Sequence, residues 1–138
     1  MPGQVIALER ICVKAGRIEA NVRVAAGLRT TTPDIARRVL ARFPNLARHT
    51  CKNDEGPTFG AVVEHTPLPH LLEHLVIELQ VACEKCDTLS ECFTYVGTTQ
   101  WLDERAGLAR VEVNYADDLA ALRAFRDALR VINEAVVG

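Results

Sequence analysis

Apolar and polar residues alternate near the start of the chain in a way that predicts a β-hairpin. Residues 18–24 alternate strictly and place four apolar side chains on one face of a half-buried strand: Ile18, Ala20, Val22 and Val24. Residues 7–13 predict an earlier strand, and residues 14–16 predict the turn between the two. The chain is therefore expected to open with two paired antiparallel strands.

Three later segments carry apolar residues at helical spacing. The first covers residues 33–43, where Thr32 can cap the helix and Pro44 ends it. The second runs from about residue 67 to 82, and the third from about residue 117 to 133. The pattern predicts three amphipathic helices.

The remaining segments predict a loop and three further strands. The loop covers residues 48–60, and the strands cover residues 61–64, 93–96 and 108–115, with a polar segment running through residue 101 between the last two. Strands that come singly and in a hairpin between helices are typical of an α+β domain. We expect one domain over residues 1–138, with a mixed sheet and about three helices packed on it.

Composition and charge exclude several classes of protein. The chain has 138 residues, of which 49% are hydrophobic, and its formal charge is −2, so it lacks the basic excess that general nucleic-acid binding requires. No apolar run approaches the roughly 20 residues of a membrane-spanning helix, and no signal peptide is recognisable, so a cytoplasmic protein is expected. The sequence leaves the oligomeric state open, a homo-oligomer included.

The motif H-x-x-E-H, formed by His70, Glu73 and His74, carries the most specific chemistry in the sequence. On a helix the two histidines lie about 40° apart on one face, so both can bind one zinc ion. Glu73 lies close enough to act as general base on a water activated by the metal. The motif predicts a zinc site with His70 and His74 as ligands and Glu73 as catalytic residue.

Two questions about this helix stay open. His70, Glu73, His74 and Glu78 can equally form the solvated side of an amphipathic helix, although Ile77 interrupts that polar face. A zinc site also needs a third protein ligand, which the motif does not supply. The candidates are Glu78, His49 and Cys51, together with Glu64, His65 and Glu112.

Cysteines offer a second candidate site. The chain has five of them, an odd number without an export signal, so a disulfide framework is not expected. Cys83 and Cys86 form a C-x-x-C pair, which Cys92 and Cys51 can complete as a second metal site. A redox pair is the alternative chemistry, and free thiols are the interpretation that we favour.

The stretch from residue 43 to 80 resembles the N-terminal domain of cyanophycin synthetase. The matching residues form a "P-x-L…H-x-C…G…F" stretch followed by the H-x-x-E-H helix: Pro44, Leu46, His49, Cys51, Gly56, Phe59, His70, Glu73, His74, Glu78, Leu79 and Gln80. The segments "FTYVGTTQ" and "ARVEVNYADD" are similar to the next two strands of that family. The resemblance extends over roughly residues 18–134.

The resemblance implies a specific chemistry. Cyanophycin synthetases polymerise aspartate and arginine with two ATP-dependent domains, which 138 residues cannot contain, so a stand-alone homologue of the N-terminal domain is expected. In that family this domain holds the polymer, and in some members its H-x-x-E-H helix cuts the polymer as a metallopeptidase-like site. Carried over by position, His70 and His74 would bind zinc and Glu73 would activate water. The alternative is a non-catalytic module that binds a polymer or a protein.

This chain departs from the family pattern at three places. Pro69 stands where the family usually has glycine, and residues 97–100 lack the two arginines of the family's "G-R-T-R". Residues 84–92 are an apparent insertion that contains Cys86 and Cys92. The catalytic triplet is retained while a basic contact is lost, so we expect a metal-dependent hydrolase acting on a peptide-like polymer of the aspartate–arginine type or a related one.

Overall fold

The predicted hairpin opens the chain in the computed structural model, which describes residues 4–83 and 94–138. Strands β1 (Ile6–Lys14) and β2 (Arg17–Val24) pair antiparallel. The turn between them contains Gly16 with φ +79°, a left-handed conformation that glycine adopts without steric cost. Every second residue of β2 is buried, which confirms the face predicted from the alternation.

Two more strands complete a four-stranded sheet. β3 (Gly97–Asp103) and β4 (Leu108–Asn114) form a second hairpin, and the strand order is β1-β2-β4-β3. The α+β class is confirmed, but the mixed sheet is not, because every neighbouring pair in this sheet is antiparallel. The two hairpins and the pairing of β2 with β4 account for all three strand pairings, so the described sheet has no parallel pair.

The described residues form three α-helices, as predicted, but only the second and third pack on the sheet, whereas the first packs against the third. The helices are α1 (Pro33–Arg42), α2 (Leu68–Cys83) and α3 (Asp118–Val137). Thr32 caps α1 as predicted, since its hydroxyl accepts the backbone N–H of Ile35 at 3.2 Å. The core between helices and sheet is aliphatic, with two buried phenylalanines, and includes Ile18, Ala20, Val22, Val111, Val113, Leu71, Leu72, Leu75, Phe59, Phe125 and Ile132.

Two predicted strands are wrong. Residues 61–64 lie instead in two short 3₁₀ helices, Phe59–Ala61 and Val63–His65, and in the turn at Val62 between them. The reason is that the neighbours Val62 and Val63 are both buried, whereas a strand would turn one of them outward. Residues 94–96 are not in a strand, and residue 93 lies outside the described part of the chain. The strand β3 instead occupies Gly97–Asp103, a stretch predicted to be a polar segment.

The beginnings of α1 and α2 are joined by a pair of threonines. The backbone N–H of Thr31 donates to the carbonyl of Thr66 at 2.8 Å, and the N–H of Thr66 donates to the Thr31 hydroxyl at 2.8 Å. Both residues are buried. This threonine clasp fixes the start of α2 relative to α1.

Among the helices that the structure describes, none combines the length and apolar character needed to cross a membrane.

Candidate metal centre

Helix α2 carries the H-x-x-E-H motif and is buried around most of its circumference. Its buried residues are Leu68, Pro69, Leu71, Leu72, Glu73, His74, Leu75, Val76 and Gln80. Glu73 is only 6% exposed and His74 only 3%, so the interpretation of these two residues as a solvated face is wrong. His70, Ile77 and Glu78 are half-buried. Buried polar groups require partners, and each of the motif residues has one.

His70 lies between a thiol and a hydroxyl. Its Nε2 is 3.4 Å from the Sγ of Cys51, and its Nδ1 is 2.8 Å from the Oγ1 of Thr66. The short 3₁₀ helix Pro44–Arg48 ends three residues before Cys51 and brings Cys51 toward α2. Because Thr66 occupies Nδ1, the ring turns its Nε2 toward Cys51.

The side chains of Cys51, His70 and His74 form a group of possible metal ligands. One donor atom from each residue lies within 4.8 Å of the other two. A tetrahedral zinc ion holds imidazole and thiolate donors at about 2.0–2.3 Å, which places them roughly 3.3–3.8 Å apart. The donor types and the Cys51–His70 distance of 3.4 Å fit such an ion. Of the third ligands considered from sequence, the structure brings Cys51 into this group.

His49 and Glu78 lie beside this group rather than in it. The Nδ1 of His49 is 3.1 Å from the Nδ1 of His74, and the Nε2 of His49 is 2.9 Å from a carboxylate oxygen of Glu78. A chain of contacts therefore runs from Glu78 through His49 to His74.

Glu73 is held by strand β3. The hydroxyl of Thr99 donates to its Oε1 at 2.6 Å, and its Oε2 lies 3.9 Å from the Nε2 of His74. Burial raises the pKa of Glu73, and the hydrogen bond from Thr99 opposes that rise. A carboxylate with a raised pKa next to an imidazole is suited to accept a proton.

Phe59 forms the wall behind the two histidines. Its ring stacks on His74 with the centroids 4.0 Å apart, and it meets His70 edge-on at 5.1 Å. Burial lowers the pKa of His70, and burial together with the neighbouring His70 and His49 lowers the pKa of His74 to about 3. Both imidazoles are therefore neutral near pH 7, which is the form that binds a metal.

The candidate ligands Cys51, His70 and His74, together with Glu73, line a groove of about 1220 Å³. One side is formed by α2 and the segment from Asn45 to Lys52, and another by β3, including Gly97, Thr99 and Trp101. The candidate ligands and Glu73 therefore face a space as large as a typical ligand-binding cleft.

The close approach of Gly97 to Glu73 gives a prediction. A Cβ at position 97 would lie 2.8 Å from the Cγ of Glu73 and 3.0 Å from the backbone oxygen of Glu112. We expect Gly97→Ala to lower the free energy of unfolding by about 1–3 kcal/mol, as overpacking does, in chemical denaturation. Gly27→Ala is the matched control, because a Cβ there meets no atom within 4 Å. Equal stability of the two variants would contradict the close packing of β3 against Glu73.

The other sequence-predicted candidates lie elsewhere. His65 is exposed and pairs with Glu55, Glu64 is exposed, and Glu112 on β4 pairs with Arg17. Cys83 is an exposed free thiol at the end of α2. Cys86 and Cys92 lie outside the described residues, so the second cysteine site stays a prediction.

Two residues of the site, Thr66 and Thr99, are not identified from the sequence. Thr66 stands four residues before His70, one helical turn away, and this spacing is a signal that sequence reading can use. Thr99 reaches Glu73 only through the packing of β3 on α2, for which the local sequence has no signal.

Comparison with known families and structures gives one match. Residues 18–137 match the family model of the cyanophycin synthase-like N-terminal domain, which confirms the resemblance seen in the sequence. Neither the curated proteins nor the solved structures contain a significant match.

Proposed function

Because this chain belongs to the family of cyanophycin synthase-like N-terminal domains, we propose that it is a zinc-dependent hydrolase that cleaves amide bonds in a peptide-like polymer. One observation carries the proposal: the donor atoms of Cys51, His70 and His74 lie within 4.8 Å of one another beside a buried carboxylate. Catalytic zinc sites typically have three protein ligands and one open position.

The proposed ligands are Cys51, His70 and His74. These residues would hold a zinc ion, which would act as a Lewis acid on the amide carbonyl and would lower the pKa of a bound water toward about 7. Thr66 supports the site by holding the Nδ1 of His70 at 2.8 Å, which leaves Nε2 for binding. Cys51 contributes as its thiolate, and its thiol is not in a disulfide.

Glu73 is the proposed general base. Thr99 holds its Oε1, so Oε2 is the oxygen that accepts a proton from water as the water oxygen adds to the amide carbon. Glu73 then delivers that proton to the amide nitrogen as the C–N bond breaks. The products are a carboxylic acid and an amine, which become a carboxylate and an ammonium group when the acid gives its proton to the amine. The raised pKa of Glu73 suits both of its own proton transfers.

An aspartate–arginine polymer or a related peptide-like chain is the proposed substrate class. The family membership and the groove beside Glu73 support this choice. We place the activity in the cytoplasm, where reducing conditions keep the free thiol of Cys51 available.

The test of the proposed function is elemental analysis of purified protein combined with a hydrolysis assay. We expect about one zinc ion per chain, lost in His70→Ala and in Cys51→Ala. His65→Ala and Cys83→Ala are matched controls, since both side chains are exposed and lie outside the ligand group, and both variants are expected to keep the metal. Cleavage of aspartate–arginine polymer is expected to disappear with the metal.

Two outcomes would overturn the assignment. Zinc that persists in His70→Ala but is lost in Cys83→Ala would move the metal to the cysteines. Protein that binds no zinc after incubation with the metal, yet binds the polymer, would identify a non-catalytic binding module.

A further inference from the structure

We infer that Glu78 and His49 are positioning residues that fix the tautomer of His74. In this tautomer Nδ1 carries the hydrogen, and Nε2 carries the available lone pair. The functional role that we give to this tautomer rests on the proposed function, because the Nε2 lone pair is the one that would bind the metal. The arrangement itself follows from the contacts of the two rings with each other and with the carboxylate of Glu78.

The first step is the contact between Glu78 and His49. The side chains of both residues are largely buried, 16% exposed for His49 and 14% for Glu78, and the His49 Nε2 lies 2.9 Å from the carboxylate. An ionised carboxylate can only accept hydrogen bonds. The hydrogen of a neutral His49 ring is therefore on Nε2, which donates to Glu78.

The second step is the contact between the two imidazoles. With its hydrogen on Nε2, His49 presents a lone pair at Nδ1, and the Nδ1 of His74 lies 3.1 Å away. Two nitrogens at this distance need one hydrogen between them, so the His74 Nδ1 carries it and donates to His49. The Nε2 of His74 then has no hydrogen and keeps its lone pair.

Two further contacts support a single ring orientation. Phe59 stacks on His74 with an interplanar angle of 20°, which restricts rotation of the imidazole. His70 has an analogous partner outside the ligand group in Thr66, at 2.8 Å from its Nδ1. Each candidate histidine ligand thus has its Nδ1 beside a supporting residue outside the ligand group, and the Nε2 of His70 lies 3.4 Å from the Sγ of Cys51, another candidate ligand. A partner outside the ligand group on one ring nitrogen is typical of metal-binding histidines.

The direct test is long-range ¹H–¹⁵N NMR of the imidazoles in the zinc-free wild-type protein at neutral pH. The expected result is a hydrogen on Nδ1 of His74 and on Nε2 of His49. A hydrogen on Nε2 of His74 would overturn the inference. This measurement needs no substitution, so it stands even where a variant fails to fold.

The second test is the zinc affinity of Glu78→Gln, measured by competition with a chromophoric chelator. Glutamine keeps the size of the side chain, but its amide can donate as well as accept, so it no longer imposes the tautomer of His49. We expect mixed tautomers of His74 and about 10–100-fold weaker zinc binding. Unchanged tautomers and unchanged affinity would overturn the role of Glu78.

Glu55→Gln is the matched control. Glu55 pairs with His65 at 3.0 Å in the same kind of histidine–carboxylate contact, on the surface and outside the ligand group. Zinc affinity is expected to match the wild type in this variant. If no variant and no wild-type protein binds zinc, the proposed hydrolase fails while the NMR result still decides the tautomer of His74.

Discussion

Glu73→Gln is expected to lower polymer hydrolysis by about 10²–10⁴-fold, the usual contribution of a general base, while the protein keeps its zinc. Glutamine has the size of glutamate and its carbonyl oxygen can still accept the hydrogen bond from Thr99. It cannot take a proton from water at neutral pH. The metal is expected to stay because the proposed ligands do not include Glu73.

The assay should follow cleavage rate, zinc content and polymer binding on the same samples. Glu64→Gln is the matched control, an exposed carboxylate outside the ligand group whose loss is expected to leave cleavage unchanged. A Glu73→Gln variant that still cleaves at the wild-type rate would remove Glu73 from the chemistry. Equal polymer binding by both variants, with no cleavage by the wild type, would favour the binding module.

Phe59→Ala is expected to be the most destabilising single substitution discussed, with a loss of about 3–5 kcal/mol in the free energy of unfolding. The side chain of Phe59 is fully buried and contacts the rings of both His70 and His74. Its removal leaves a cavity behind the two histidines. A protein of this size has only about 5–15 kcal/mol of total stability, so the loss is a large fraction of it.

Chemical denaturation of zinc-free protein measures this effect without a contribution from metal binding. Phe59→Leu is the control, because leucine keeps much of the buried volume and loses the ring contacts, and it is expected to cost clearly less. A loss below about 1 kcal/mol in Phe59→Ala would show that this ring is not part of the packed core.

The sequence predicts those elements whose apolar residues face the common core. The alternation from Ile18 to Val24 specifies β2, and the cap at Thr32 with Pro44 defines α1. The apolar–polar pattern alone does not predict β3, and only the family resemblance of residues 93–100 indicates a strand that overlaps it. The half-buried residues of β3 include Gly97 and Thr99, which face the carboxylate of Glu73 rather than aliphatic side chains, so the strand has no apolar alternation.

Only the part of the candidate site that lies on one helix can be predicted from the sequence. His70, Glu73 and His74 lie on one helix, and their spacing alone places them together. Cys51 joins them through the packing of a separate segment, so the sequence could offer it only as one of several third ligands. The burial of Glu73 likewise depends on β3, which is distant in the sequence.

The threonine clasp links local unfolding to the geometry of the site. Thr66 binds Thr31 through its backbone and His70 through its hydroxyl, so one residue serves both contacts. An opening of the chain that separates the start of α1 from the start of α2 breaks the hydrogen bonds that position Thr66 and so weakens the support for the ring of His70. Groups joined in this way open and close as one cooperative unit. How often the ligand group is ordered then depends on the free energy of opening of that unit as well as on the rotamer preferences of the histidines.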